Sequence, residues 1–331
     1  MFDEKSVDEV GRVLADESQP LKARFRAIFT LRGMGGEAAV RWLASALRDP
    51  SALLGHEAAF CLGQTGHAAA KAPLEELLRD RDARPIVRHE AGEALGAIGT
   101  PDVLDVLREF SSDPVVEVAE TCQLAVRRVE WLQRTRAAGG AEEERLGTST
   151  YDTVDPVPAA ASSDVKQLRC TLLDDGAPLY ERYRAMFALR NVASDEAVLA
   201  LSDGLSCGSA LFRHEVAFVL GQMQHPASVP ALASRLAVAE ESGMVRHECA
   251  EALGSVATPE SLEILRAYRD DPERVVRESV EVALDMWEHE AAGEFQYANT
   301  HSQLSAAAVT AAGKADGPSA AEELPNGIGA H

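Results

Sequence analysis

Apolar positions recur along this chain with the period of a helix rather than of a strand. Ala91, Ala94, Leu95 and Ile98 fall at i, i+3, i+4 and i+7, as do Cys249, Ala252, Leu253 and Val256; each set lies on one face of an amphipathic helix. Alternation of period two is not sustained anywhere, so no strands are expected. Gly35–Gly36, Gly66 and Gly99 are predicted to end helices. Thr100-Pro101 and Thr258-Pro259 are predicted to start them, with Thr as N-cap and Pro at the first helical position.

The pattern is written twice. Arg88-His89-Glu90-Ala91-Gly92-Glu93-Ala94-Leu95-Gly96 returns as Arg246-His247-Glu248-Cys249-Ala250-Glu251-Ala252-Leu253-Gly254. His56-Glu57-Ala58-Ala59-Phe60 returns as His214-Glu215-Val216-Ala217-Phe218, and Arg24-Phe25-Arg26-Ala27 as Arg182-Tyr183-Arg184-Ala185. Every pair is 158 positions apart without a gap, so one half was duplicated. Inside each half, His56 to His89 and His214 to His247 are both 33 residues, the length of a helix–turn–helix solenoid unit. The expected fold is all-α: a solenoid of helical hairpins in two pseudo-symmetric halves of four hairpins each. The halves are residues 1–135 and 164–290. Residues 136–163, rich in Gly, Ala, Ser, Thr and Pro, are read as a flexible linker, and 291–331 as a disordered Ala-rich tail.

Composition narrows the function. The 331 residues carry 32 Lys+Arg against 53 Asp+Glu, a formal net charge of −21 that lies mostly in the two halves. Such a surface repels a nucleic-acid backbone and an anionic membrane, and neither is expected as a partner. No apolar run is long enough for a membrane span, and the acidic N-terminus lacks a secretory pattern. Five scattered cysteines form no C-x-x-C pair. A disulfide framework or thiolate zinc site is therefore not expected, and a reducing cytoplasm is.

The candidate chemistry sits in four His-Glu pairs: His56-Glu57, His89-Glu90, His214-Glu215 and His247-Glu248. Each is placed in the first turn of the second helix of a hairpin. At 100° per residue, His89 points about 170° from the centre of the Ala91 stripe and Glu90 about 90°. The histidines thus face the wall of the solenoid groove rather than the hairpin core. One such histidine would be surface decoration, but four of the nine in a single register need a cause. Neutral imidazole with carboxylate suits iron, manganese or zinc, and two His with one carboxylate leave positions open for chemistry. Glu93 and Glu251, four residues after His89 and His247, lie on the same face and compete for that role; spacing does not choose among the glutamates. His67 and His225 also correspond, but fall in turns and are read as loop or helix-end residues. His289, His301 and His331 are given no role.

Tandem His-Glu pairs in two repeat halves joined by a linker, one as Gly-His-Glu and three as Arg-His-Glu, resemble the deoxyhypusine hydroxylase family of HEAT-like (E-Z type) repeat proteins over about residues 1–290. That resemblance implies an oxidoreductase of hypusine biosynthesis. It would be a non-haem di-iron monooxygenase that hydroxylates the deoxyhypusine side chain of eukaryotic translation initiation factor 5A, using two Fe(2+) ions, O2 and an external reductant. It further implies one iron on His56, His89 and Glu90, the other on His214, His247 and Glu248, and the substrate beside Glu57 and Glu215. The longer linker and the tail depart from the family without touching these positions. Two other readings stand beside it: a metal-free repeat scaffold that binds a protein, and a dinuclear metallohydrolase working through metal-bound hydroxide.

Overall fold

The computed structural model describes residues 2–139, 151, 153–292, 300–301 and 303–304. The first half pairs α1 (Glu4–Ala15) with α2 (Leu21–Met34), α3 (Gly36–Ser45) with α4 (Ala52–Thr65), α5 (Lys71–Arg79) with α6 (Pro85–Ile98), and α7 (Leu104–Phe110) with α8 (Val116–Ala137). The second pairs α9 (Val165–Leu173) with α10 (Leu179–Val192), α11 (Asp195–Gly204) with α12 (Ala210–Met223), α13 (Val229–Leu236) with α14 (Gly243–Val256), and α15 (Pro259–Ala267) with α16 (Arg274–Ala292). The architecture is the expected all-α solenoid, four hairpins to a half, with no strand among the described residues.

Helix ends follow the sequence signals with one variation. Gly66 and Gly99 close α4 and α6 in the left-handed region, at φ 61° and 68°, where glycine has no Cβ penalty. Their counterparts Gln224 and Ala257 hold the same conformation at φ 49° and 53° with side chains attached. Thr258 caps α15 by accepting from the Ser261 amide at 3.0 Å. Thr100 instead precedes a 3₁₀ turn, Pro101–Val103, and makes no side-chain cap.

Small residues set the spacing between neighbouring second helices. A Cβ at Gly96 would lie 2.7 Å from the Ala125 Cβ, and one at Gly254 would lie 2.6 Å from the Ala283 carbonyl oxygen. The inner helices therefore pack almost backbone to backbone, which brings side chains on neighbouring helices within reach of one another.

An arginine pins alternate hairpins. Arg24, Arg88, Arg182 and Arg246 each donate Nε to a carbonyl ten residues earlier: Leu14 at 2.8 Å, Leu78 at 3.2 Å, Leu172 at 2.9 Å and Leu236 at 3.0 Å. Arg24, Arg88 and Arg246 also grip a carboxylate 25 residues later, Asp49, Asp113 and Asp271, at 2.5, 2.7 and 2.5 Å. At the third position Cys207 replaces the acid, 3.2 Å from Arg182, and Asp175 takes over the ion pair at 2.7 Å.

The two halves close on each other along two seams. On one, Asp285 of α16 takes Arg26 at 2.7 Å and Lys22 at 3.4 Å, and Ser51 donates to Glu278 at 2.7 Å. On the other, Ser209 donates to Glu120 of α8 at 2.5 Å. Of the segment read as a linker, the described residues 153–160 are docked on this second seam, with Val157 and Ala159 buried. The tail from 305 on, including His331, lies outside the described residues.

Candidate metal centre

Helices α4, α6, α12 and α14 turn the same register inward, and the four histidines meet. Ring centroids lie 5.4 Å apart for His56–His89 and 5.3 Å for His214–His247 within the halves. Between halves they lie 5.7 Å apart for His56–His214, 5.3 Å for His56–His247 and 5.4 Å for His89–His214. Each histidine is the fifth residue of its helix, so it opens the second turn rather than lying in the first, as the spacing had suggested. The one-residue shift follows from Ser51 and Arg84 acting as N-caps upstream of where the apolar stripe begins.

All four His-Glu pairs are buried. Ligand atoms of His214, His247 and Glu248 lie within 4.8 Å of one another, as do those of His56, His89 and His214, and those of His89, Glu90 and Glu93. In the first half, His56 Nε2 approaches Glu90 at 3.2 Å, and in the second, His214 Nε2 approaches Glu248 at 3.3 Å. Two further carboxylates hold imidazoles from behind. Glu57 lies 3.1 Å from His56 Nδ1, and Glu251 lies 3.4 Å from His247 Nδ1 while accepting from Ser279 at 2.8 Å.

The polar inventory does not balance with protein atoms alone. Both nitrogens of His89, Nδ1 of His214 and Nε2 of His247 are buried with no protein partner, as is one oxygen of Glu215, while Nε2 of His56 and of His214 have only a carboxylate at 3.2 and 3.3 Å. Each such atom costs about 1–3 kcal/mol when left unsatisfied. A cation among these nitrogens would satisfy them together, so the donor set fits a metal of the iron, manganese or zinc type.

The electrostatics agree. Burial lowers the pKa of His89, His214 and His247 well below the usual value, and neighbouring imidazoles add to it; these rings are neutral donors. Burial opposes charge on His56 too, but its bonds to Glu57 and Glu90 outweigh that and raise it. Burial raises Glu93, Glu215 and Glu248 well above the usual range, with nearby carboxylates contributing, and brings Glu251 to about 7. Carboxylates crowded this way favour cations, whether a metal or an amine.

Beside His56 and His214 opens a cavity of about 310 Å³, lined also by Glu57, Glu215, Glu251, Phe60, Phe218 and Met286. Phe60 and Phe218 correspond in the duplication and meet edge to face at 5.8 Å. The sequence reading passed over this pair, although its invariance under the 158-residue offset was visible. His67 and His225 lie apart from the centre; each accepts an amide through Nδ1 and caps a 3₁₀ turn, which supports the loop reading.

The fold and site together define a closed helical-repeat protein with a His/carboxylate centre between its halves, and a family model for HEAT repeats matches residues 7–85, 43–127 and 198–285. Deoxyhypusine hydroxylase of Homo sapiens is 59% identical over 304 residues, covering 92% of this chain and 98% of that protein. The enzyme of the same name from Drosophila melanogaster is 50% identical over 307 residues, covering 92% and 99%. The solved structure of human deoxyhypusine hydroxylase in complex with glycerol superposes with a TM-score of 0.83 at 60% identity, covering 86% of this chain and 97% of that one. The chain belongs to the deoxyhypusine hydroxylase family.

Proposed function

We propose that the chain hydroxylates the deoxyhypusine side chain of eukaryotic translation initiation factor 5A at a non-haem centre of two ferrous ions, completing hypusine. His56, His89 and Glu90 hold one ion and His214, His247 and Glu248 the other. When bound, the ions supply reductive activation of O2, with an external reductant providing two electrons, so that one oxygen atom enters a C–H bond and the other leaves as water. The observation that carries this reading is the cluster of buried ring nitrogens without partners on His89, His214 and His247, beside an acidic cavity that His56 and His214 line.

The remaining work belongs to the protein. The side chain of deoxyhypusine carries a secondary and a primary amine, both cationic at neutral pH, joined by methylenes. Glu57 and Glu215 receive the amines through charge-assisted hydrogen bonds. Glu57 also fixes the His56 ring, so a neutral His56 presents Nε2 to the metal while Nδ1–H donates backwards. Phe60 and Phe218 flank the methylenes and keep water from the centre. Net negative charge on the scaffold draws the polyamine-modified lysine in,. All five cysteines are free thiols and no described helix is long and apolar enough to cross a membrane; we place the reaction in the cytoplasm.

Iron analysis after anaerobic reconstitution, followed by assays omitting O2 or reductant in turn, tests this against its rivals. The expected result is two irons per chain and no product without either component. A scaffold would bind no iron, and a metallohydrolase would act with both components absent.

A further inference from the structure

A duplicated chain whose centre lies between its halves should have two mouths, each the image of the other. One is the cavity lined by Phe25, Phe29, Phe60, Gln222, Glu251 and Met286. The 158-residue offset turns these into Tyr183, Phe187, Phe218, Gln64, Glu93 and Arg128, of which Phe218 and Glu93 also reach the open cavity. At that second place only about 10 Å³ is left, beside Glu93, Gly96, Arg128 and Pro156, which is about the room for a single water.

The space is filled by the chain between the halves. Val154 is bracketed by Gln64: its amide donates to Gln64 Oε1 at 2.7 Å, and Gln64 Nε2 donates to its carbonyl at 3.3 Å. The Asp155 carboxylate takes two bonds from Arg190, at 2.8 and 2.6 Å, and its carbonyl accepts from Arg128 Nε at 2.8 Å. Val157 is fully buried. Arg190 is itself fully buried, stacked on Phe187 at 4.8 Å. Its counterpart at the open mouth is Arg32, and the position of Arg128 is there occupied by Met286. Two of the anchors, Gln64 and Arg128, are thus images of residues that line the open cavity, Gln222 and Met286, and the third, Arg190, is the image of Arg32, which sits over Phe60.

We infer that Val154–Val157 is a built-in plug that closes one of two pseudo-equivalent mouths, so the deoxyhypusine side chain reaches the centre only past Phe60, Phe218 and Met286. The plug makes a nearly symmetric pair of metal sites one-sided, and Asp155, Gln64 and Arg190 are the residues that position it. This rests on the di-iron reading above.

The test is release of iron to a water-soluble chelator, measured anaerobically with and without deoxyhypusine-containing factor. With one mouth, bound factor blocks the chelator. At factor about 100 times its dissociation constant, release from the unmodified protein slows about 100-fold. In Asp155→Ala and in Gln64→Ala, release continues through the second mouth and bound factor slows it far less. Equal shielding in all three proteins, or no shielding in the unmodified one, overturns the plug. Hydrogen exchange at the Val154 amide of the iron-loaded parent guards against variants that fail to fold. Slow exchange supports a seated segment, and exchange at the rate of an open chain overturns it. A protein that never loads iron refutes the metal reading instead, so the two failures are distinct.

Discussion

The two halves carry the same register of His-Glu pairs, yet they hold their imidazoles differently. In the first half it is the leading histidine, His56, that is backed by a carboxylate, Glu57. In the second it is the trailing one, His247, that is backed by Glu251, with Ser279 behind it. The counterpart of Ser279 is Thr121, whose hydroxyl is buried without a partner, and His89 has neither nitrogen bonded. Duplication preserved the backing glutamates too, as Glu215 and Glu93, but the hydroxyl that orients Glu251 stands as Thr121 in the first half, and the same residue types settle into different bonds. The lesson is that pseudo-symmetry of ligands does not give equivalent sites, because the partners behind a ligand set its tautomer and orientation.

Breaking the centre should have the largest effect. His247→Ala and His89→Ala should each lose one of the two irons and all measurable hydroxylation, with helical content by circular dichroism unchanged, since these rings face away from the hairpin cores. Retention of both irons by either variant would remove that histidine from the ligand set.

The arginine clamps give a second contrast. Asp271 is buried against Arg246, whereas Asp175 is largely exposed against Arg182. Asp271→Asn should destabilise by about 3–5 kcal/mol and Asp175→Asn by about 0–1 kcal/mol, read from denaturant unfolding. Burial opposes charge on Asp271, but bonds from Arg246 hold its pKa below the usual 3.8. A depressed carboxyl stabilises the fold above its unfolded value, so the penalty of Asp271→Asn should be constant near neutrality. It should shrink only as pH falls below about 3.8.

Smaller effects sharpen the difference between the halves. Glu251→Gln should weaken metal binding by about 10–100-fold, while Glu93→Gln, at a position without the Ser279 contact, should weaken it less; competition with a chelator measures both. Ala257→Gly should stabilise by about 0.5–1 kcal/mol, because it relieves a left-handed alanine at the cost of a looser unfolded chain. Gly99→Ala, its mirror, should destabilise.

The sequence disclosed the solenoid and the four inward histidines because both follow from periodicity: helical spacing, a 33-residue unit and a 158-residue offset. It placed the histidines in the first turn, where the structure has them opening the second, because the apolar stripe of α4 and α6 starts after the helix does. It left Glu57, Glu90, Glu93 and their counterparts unresolved, since residues separated by a few positions on one helix lie close together, and which of them approaches an imidazole depends on how one helix packs on the next. It read residues 136–163 by composition, and composition is blind to the docking of Val154 and Asp155 on Gln64 and Arg190. Those anchors are scattered through both halves, so no local signal marks them.

The central claim is that this His/Glu centre hydroxylates deoxyhypusine with oxygen from O2. It is tested most directly by incubating the iron-loaded protein with deoxyhypusine-containing factor and reductant under isotopically labelled O2. The product is then analysed by mass. The account predicts one added oxygen atom on the modified lysine, carrying the label, and none from the His247→Ala protein. Product with unlabelled oxygen, or an unchanged factor after incubation with fully iron-loaded protein, would contradict it.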